Sequence, residues 1–274
     1  MKKLYIPVLL LFNLCILACP LITTAQCNNA DFESGNFSGG WSGTYSAGEC
    51  SGAYLLGICI GCGLNDPTNA NGFNQGPNNA SPSNGSTEYN HVLCTTAGGN
   101  DPNLASYGAT LPMVWTGGGS YSMRQGSMWQ DVGSDATGDG ETSTYTFTVT
   151  PSNCNFTYHY AVVLNDGGHS SGEQPYFNIK MTDGNGSDIS CADYQVDATT
   201  AQTIGGFNQI SSASIWWKPW TSVFIPLNNY IGQTVKITFT TRGCLPSGCV
   251  GSHYAYAYID AECGPLTLVS SSPT

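Results

Sequence analysis

Three of the six tryptophans of this 274-residue chain lie in the stretch Trp216-Trp217-Lys218-Pro219-Trp220. Sugar rings stack on exposed indoles because their C–H groups meet the electron-rich face of the ring. In a loop, Trp216, Trp217 and Trp220 would therefore form a platform for glycans. In an extended strand, neighbouring side chains point to opposite faces, so at most one of Trp216 and Trp217 would be exposed and the indoles would pack instead.

A second group of reactive side chains surrounds His169, with Glu173 four residues later and His253 far along the chain. Imidazoles bind metals and transfer protons, and Glu173 could orient a water molecule. These three residues are therefore a candidate ligand-binding or hydrolytic site. No His-Glu-x-x-His motif is present. A structural hydrogen-bond network between adjacent loops is the favoured interpretation, and we expect no catalytic residues.

The charge balance excludes whole classes of partner. Seven basic residues face 18 acidic ones, a net charge of −11. Nucleic acid binding requires clustered cations to displace counterions from the phosphates, and no basic cluster follows Lys3. We therefore expect no nucleic acid partner, whereas the excess carboxylate is compatible with a hard cation such as calcium.

The first 25 residues are typical of a secretory signal peptide. Lys2 and Lys3 precede an apolar run over residues 4–19, and Thr23 and Ala25 are small residues at the positions that a cut after Ala25 requires. The run is short for a membrane span and no other apolar stretch is long enough, so we expect no transmembrane segment. A secreted or cell-surface protein is predicted.

Cysteine usage fits that compartment. Of the 12 cysteines, Cys15 and Cys19 fall in the signal peptide, which leaves ten. Exported proteins keep disulfides, but the pairing of ten cysteines cannot be deduced from sequence. A bond between Cys27 and Cys263 would join the two ends of the folded region. A metal, such as zinc, or a redox role at the pairs Cys59/Cys62 and Cys244/Cys249 is a less favoured alternative.

Alternating apolar and polar residues predict short antiparallel strands from residue 142 onward. The predicted strands cover residues 145–149, 156–164, 177–181, 223–227, 235–239 and 253–260. Residues 27–110, rich in Gly and Asn, have no such period and are expected to be mostly loops. The sequence thus predicts an all-β, antiparallel, jelly-roll-like β-sandwich with long disulfide-tied loops, as one domain over residues 26–265 followed by a linker-like tail at 266–274.

Several stretches together resemble a known family. They are the opening segment Cys27 to Trp41, the stretch Phe156 to Leu164, and Ala255-Tyr-Ala-Tyr-Ile-Asp-Ala-Glu-Cys263 near the end. As a set they resemble the N-terminal module of large Bacteroidetes-type secreted or cell-surface proteins, which are adhesin-like and often carry PKD repeats and a type IX secretion sorting domain. The resemblance implies an exported surface module with an adhesive role.

A more distant resemblance is to jelly-roll modules of the carbohydrate-binding and MAM kinds. It rests on the opening Asp31-Phe-Glu33-Ser-Gly and on the closing Tyr-Ile-Asp260. It implies a structural calcium held by Glu33 and Asp260, with Asp31 as a third ligand. The predicted function is a non-catalytic adhesin-like or carbohydrate-binding-like module whose partner is a glycan or a surface or matrix component. A secreted hydrolase and a self-assembling structural subunit are the alternatives.

Overall fold

The structure is a computed structural model that describes residues 27–45, 53–55, 58–60, 70–82, 89–128, 140–244 and 253–265. The predicted signal peptide and the tail at 266–274 lie outside these ranges, and so does Cys249. Those predictions remain expectations.

Strands dominate the described residues. In chain order they are β1 (Trp41–Tyr45), β2 (Ala53–Leu55), β3 (Ile58–Ile60), β4 (Ala70–Asn71), β5 (His91–Thr95), β6 (Tyr121–Gly126), β7 (Gly140–Thr148), β8 (Asn155–Asn165), β9 (Tyr176–Thr182), β10 (Tyr194–Asp197), β11 (Asn208–Ile210), β12 (Ile215–Pro226), β13 (Thr234–Arg242) and β14 (Ala255–Gly264). A five-residue helix, α1 (Pro102–Ser106), lies between β5 and β6.

Two six-stranded sheets face each other. Sheet I has the order β10-β9-β13-β7-β1-β4, and sheet II has the order β11-β12-β8-β14-β6-β5. Neighbouring strands of both sheets pair antiparallel. The predicted antiparallel β-sandwich is therefore confirmed.

The apolar side chains form two layers, one between the sheets and one on the outer side of sheet II. On β7, Tyr145 and Phe147 are buried in the core between the sheets, whereas Thr144 and Thr146 are half-buried. Hydrophobic burial of one face against the opposite sheet is what holds such a sandwich together. On β14, Ala257 and Ile259 enter this inter-sheet core while Tyr256 and Tyr258 point to the other side of sheet II.

The outer side of sheet II is covered by the segment that contains α1. Leu104, Leu111 and Met113 pack there against the tyrosines of β14. The carboxylate of Asp101 caps α1 by accepting a hydrogen bond from the backbone N–H of Leu104 (2.7 Å), and it also accepts from the hydroxyls of Tyr256 and Tyr258. The described part of residues 27–110 thus contains more regular structure than the sequence predicts, because β5 is buried on both sides and shows no alternation, and α1 is little longer than one turn.

The two ends of the fold lie together. A disulfide joins Cys27 to Cys263, and Phe32 and Ile259 share the inter-sheet core. The pairing considered from the sequence is confirmed. Among the described cysteines, Cys94, Cys154, Cys191 and Cys244 form no disulfide, and the pairing of the remaining cysteines stays a prediction. Cys94 and Cys154 lie in different apolar layers, and a disulfide needs Cα atoms about 5.5 Å apart.

Candidate functional site

A cavity of about 230 Å³ opens at the seam where the first segment meets β14. Two of its walls come from the ends of the fold, since Cys27, Asp31 and Asp260 line it. The others come from the loop before β6 and from β8. The full lining is Cys27, Ala30, Asp31, Trp115, Gly118, Gly119, His159, Asp260, Ala261, Glu262 and Cys263.

An aromatic wall forms one side of this cavity. The half-buried indole of Trp115 stacks on the ring of His159, with centroids 4.5 Å apart and planes 11° from parallel. Trp220 supports Trp115 from the side at 5.8 Å, and its Nε1–H donates to the carbonyl of Pro112 (2.8 Å). The indole and the imidazole are therefore held in fixed orientations.

His159 is also fixed by polar contacts. Its Nδ1 lies 2.8 Å from Ser222 Oγ, and its Nε2 lies 3.6 Å from Glu262 Oε1. Burial lowers the pKa of His159 below its ordinary value, although the carboxylate of Glu262 opposes this shift. A neutral imidazole offers one donor and one acceptor.

Asp260 is the most deeply buried carboxyl group of the cavity, with 4% of the residue exposed. Its Oδ2 accepts from Ser122 Oγ (3.0 Å) and its Oδ1 from the backbone N–H of Ala261 (2.8 Å). Burial raises the pKa of Asp260 to about 8; these two hydrogen bonds lower it, and the nearby carboxylates of Asp31 and Glu33 raise it further. Burial disfavours the charged form of the group, and a bound cation would favour it.

Glu33 and Asp31 lie beside Asp260, as the distant resemblance implies. Oε1 of Glu33 accepts from the backbone N–H groups of Ser120 (2.6 Å) and Tyr121 (2.9 Å). The carboxylate presses on Gly119, where a Cβ would lie 2.0 Å from Oε1, so this position requires glycine. Among the described residues, the three carboxylates do not bring oxygen atoms within 4.8 Å of one another, and calcium binding by them remains a prediction.

The second candidate group assembles differently from the sequence prediction. His169 and His253 do meet, with ring centroids 5.1 Å apart. Their third partner is Cys244, and one ligand atom from each of the three lies within 4.8 Å of the others. Glu173 is not in this group; its carboxylate accepts a hydrogen bond from Ser170 Oγ (2.8 Å). The convergence of His169, Glu173 and His253 that a hydrolase would need is absent from this part of the described structure.

The predicted tryptophan platform lies in strand β12 rather than in a loop. Trp216 packs against the inter-sheet core, and Trp217 and Trp220 pack against the apolar layer outside sheet II. All three are half-buried. Trp216 and Trp217 point to opposite sides because of the alternation of a strand, which the sequence already offered as the alternative. A register shift between Lys218 and Thr221 brings Trp220 to the same side as Trp217.

Sequence reasoning did not identify Trp115, His159 or Cys244 as site residues. Trp115 and His159 are isolated in sequence, and no motif marks them. Cys244 drew notice only as a neighbour of Cys249. One signal in the sequence could have linked two of these ligands. Cys244 and His253 flank the segment between two predicted strands.

No known protein family matches this sequence, and no curated protein matches it. Among solved structures it is similar to the carbohydrate-binding module TmCBM61 in complex with β-1,4-galactotriose, at 10% identity and a TM-score of 0.37, over 86% of this chain and 93% of that one. It is also similar to the K2 cleaved adhesin domain of Lys-gingipain, at 12% identity and a TM-score of 0.30, over 65% of this chain and 82% of that one. A third similar structure is the non-crystalline cellulose specific module CBM28, at 9% identity and a TM-score of 0.31, over 54% of this chain and 76% of that one.

Because these identities and TM-scores are low, the similarities do not indicate what this chain binds. Within the described residues, no helix is both long enough and apolar enough to span a membrane.

Proposed function

We propose that this chain is a non-catalytic, extracellular glycan-binding module with an adhesive role, and that its sugar site is the cavity at the seam of the two chain ends. The observation that carries the proposal is that one cavity is lined both by the stacked pair of Trp115 and His159 and by the carboxyl-bearing residues Asp31, Asp260 and Glu262.

The composition of the cavity suits a sugar. An aromatic ring offers a flat apolar surface to the C–H face of a pyranose. Carboxylate oxygens accept hydrogen bonds from hydroxyl groups, and hydrogen bonds to charged groups are about twice as strong as neutral ones. The lining of the cavity therefore offers one sugar ring both an aromatic surface and hydrogen-bond acceptors.

The size of the cavity restricts the ligand. Its volume of about 230 Å³ lies below the roughly 300–1,000 Å³ of pockets that enclose drug-sized molecules. We infer that it takes one sugar unit, either the end of a chain or a single branch. The exposed carboxylate of Glu262 disfavours sialic and uronic acids, because it would repel the carboxylate of such a sugar.

Replacement of Trp115 by alanine tests this assignment. We expect Trp115→Ala to weaken glycan binding about tenfold or more, equivalent to about 1.4 kcal/mol, because the stacking surface is lost. The measurement is a glycan array on the full chain, followed by calorimetry with the best ligand.

The matched control is Tyr107→Ala, which removes another exposed aromatic ring (48% exposed) that does not line the cavity. This variant should bind like the parent. Equal affinity of Trp115→Ala and the parent, with both folded, would place the sugar elsewhere. No binding of the parent to any glycan on the array would contradict the function itself.

We also propose that calcium stabilises this seam through Asp31, Glu33 and Asp260. Two carboxylates of the first segment and one of β14 are held close enough for Asp31 and Glu33 to influence the pKa of Asp260, and one ion bound between the chain ends would stabilise the folded state alone.

Removal of calcium should therefore lower the melting temperature. At a free calcium concentration of about 100 times Kd, binding contributes about 2.7 kcal/mol, which corresponds to a shift of roughly 5–10 °C for a domain of this size. Calorimetry with calcium and with EDTA measures it. Asp260→Asn should abolish the shift and Asp193→Asn, an exposed carboxylate elsewhere, should retain it; an unchanged melting temperature of the parent in EDTA would rule calcium out.

A further inference from the structure

We infer that His169, Cys244 and His253 form a binding site for a transition metal of the zinc type, with three protein ligands and a fourth position open to water. The site is independent of the proposed sugar cavity. His253 precedes β14 and Asp260 lies seven residues later along the same strand, a separation of roughly 20 Å.

Two of the ligands are fixed by the backbone. Cys244 follows the end of β13 and His253 precedes the start of β14, and the backbone N–H of Cys244 donates to the carbonyl of His253 (2.9 Å). The backbone N–H of His253 in turn donates to Cys244 Sγ (3.3 Å). These bonds close the loop between the two strands and bring Cys244 Sγ to 3.4 Å from His253 Nδ1.

That separation is already suitable for a metal. Zinc bonds of about 2.0–2.1 Å to nitrogen and 2.3 Å to sulfur, arranged tetrahedrally, place the ligand atoms roughly 3.3–3.6 Å apart. The pair Cys244 and His253 meets this value at 3.4 Å. The whole group of ligand atoms lies within 4.8 Å, so tetrahedral coordination requires His169 to approach by no more than about 1.5 Å.

A second observation that points to a ligand is the unpaired ring nitrogen of His169. Its Nε2 is buried and makes no hydrogen bond, and its ring meets that of His253 edge to face. A buried polar atom without a partner is costly, so native structures rarely leave one. A metal ion between the two rings would satisfy it.

Hydrogen bonds of Gln174 fix the loop that carries His169. Gln174 is almost fully buried, and its amide donates to Asp166 Oδ1 (2.6 Å) and to the carbonyl of His169 (3.2 Å). Its Oε1 accepts from the backbone N–H of Gly167 (3.1 Å). A Cβ at Gly167 would lie 2.5 Å from both His169 Cδ2 and His253 Nδ1. The loop therefore packs directly on both imidazoles, as outer contacts do in metal sites.

The ligand types select the metal. One sulfur and two imidazole nitrogens suit zinc, whereas calcium and magnesium require oxygen ligands. Cys244 binds as the thiolate, so binding releases its S–H proton to solvent and forms one S–metal bond without any change of oxidation state. Three protein ligands leave one tetrahedral position for water, the arrangement of zinc sites that interact with small molecules.

Cobalt replaces zinc in such sites and reports sulfur ligation directly. The full chain, produced without an affinity tag and treated with EDTA, is titrated with Co²⁺ and followed by absorbance. We expect a thiolate-to-cobalt charge-transfer band that saturates at one equivalent and disappears when Zn²⁺ is added. Cys244→Ser should lose the band, and both Cys244→Ser and His169→Gln should weaken zinc binding about 100-fold or more.

Two control variants separate this site from other thiols and imidazoles. Cys191→Ser removes an exposed free thiol, and His159→Gln removes a histidine of the sugar cavity. Both should keep the cobalt band of the parent. His159 lines the cavity and Cys244 does not. Loss of glycan binding and loss of the cobalt band are therefore separate results, and either proposal can fail without the other.

Alkylation gives a readout that does not depend on the variants folding. Cys244 is only 2% exposed in the folded chain, so labelling is measured at a urea concentration that opens the fold transiently. Under these conditions zinc should slow the reaction of Cys244 of the parent chain with iodoacetamide relative to the EDTA-treated parent, as measured by mass spectrometry, while Cys191 remains labelled in both. The inference is overturned if the parent shows no charge-transfer band, if Cys244→Ser retains it, or if peptide mapping of the unreduced protein finds Cys244 in a disulfide with Cys249.

Discussion

A variant with serine at both Cys27 and Cys263 is expected to lose about 5 kcal/mol of unfolding free energy. The bond joins residues 236 positions apart. Without it the unfolded chain gains conformational entropy, and this gain increases with the logarithm of the length of the loop that the bond closes. The measurement is urea unfolding of the parent and the variant, each followed by tryptophan fluorescence.

The control for this prediction is Cys191→Ser, because that thiol is exposed and unpaired. Its unfolding midpoint should match the parent. The double variant should also bind glycan more weakly, since Cys27 and Cys263 line the sugar cavity. A double variant that unfolds within about 1 kcal/mol of the parent would contradict the chain-entropy account, and would mean that packing of Phe32 and Trp41 alone holds the first segment.

Acid is expected to destabilise the parent chain through His91. This residue is fully buried, and burial lowers its pKa from 6.5 to about 3; the hydrogen bond from its ring to the carbonyl of Thr142 raises it, and the charge of Arg124 lowers it further. The rings of Phe37 and Phe73 pack around it.

The sign follows from proton binding. Between the two pKa values the unfolded chain binds a proton at His91 and the folded chain does not, so protons favour unfolding. The stability contribution is complete above pH 6.5 and is lost as the pH falls. By about pH 3.5 the loss is about 4 kcal/mol.

The variant His91→Gln isolates this effect, because glutamine keeps a donor toward Thr142 but does not titrate. Urea midpoints measured at several pH values from about 7 down to about 3.5 should fall less steeply for His91→Gln than for the parent. The carboxyl group of Asp260 has a raised pKa and contributes a slope of opposite sign over part of this range, but it is common to both proteins and cancels in the difference. Parallel pH profiles would show that other groups carry the acid sensitivity.

The strands could be predicted because their signal is local. The alternation of Tyr145, Phe147 and Val149 with threonines is a period of two, and burial of one face of a sheet imposes that period on neighbouring residues. The same reasoning predicted the strand at residues 253–260 that corresponds to β14. It could not detect β1, because the inward position of Gly43 has no apolar side chain, or α1, because five residues make little more than one helical turn.

The cavity proposed to bind sugar could not be predicted from the sequence. Asp31, Trp115, His159 and Glu262 come from four segments, and they meet because β14 lies between β8 and β6 in sheet II. That order depends on long-range pairing, which no local pattern records. The tryptophan stretch showed the converse: three indoles adjacent in sequence, Trp216, Trp217 and Trp220, separated onto two apolar layers once they formed a strand.

Composition and periodicity thus determined the β-sandwich and the acidic character, because the strands follow from local alternation and the net charge follows from the residue counts alone. The tertiary structure decided which cysteines bond and which side chains converge. Cys27 meets Cys263 and Cys244 meets His169 and His253 through the closing of the two sheets. Contacts between distant loops depend on the geometry of the whole sandwich. The free energy of folding that sets this geometry is spread over many residues, so no single position in the sequence indicates these contacts.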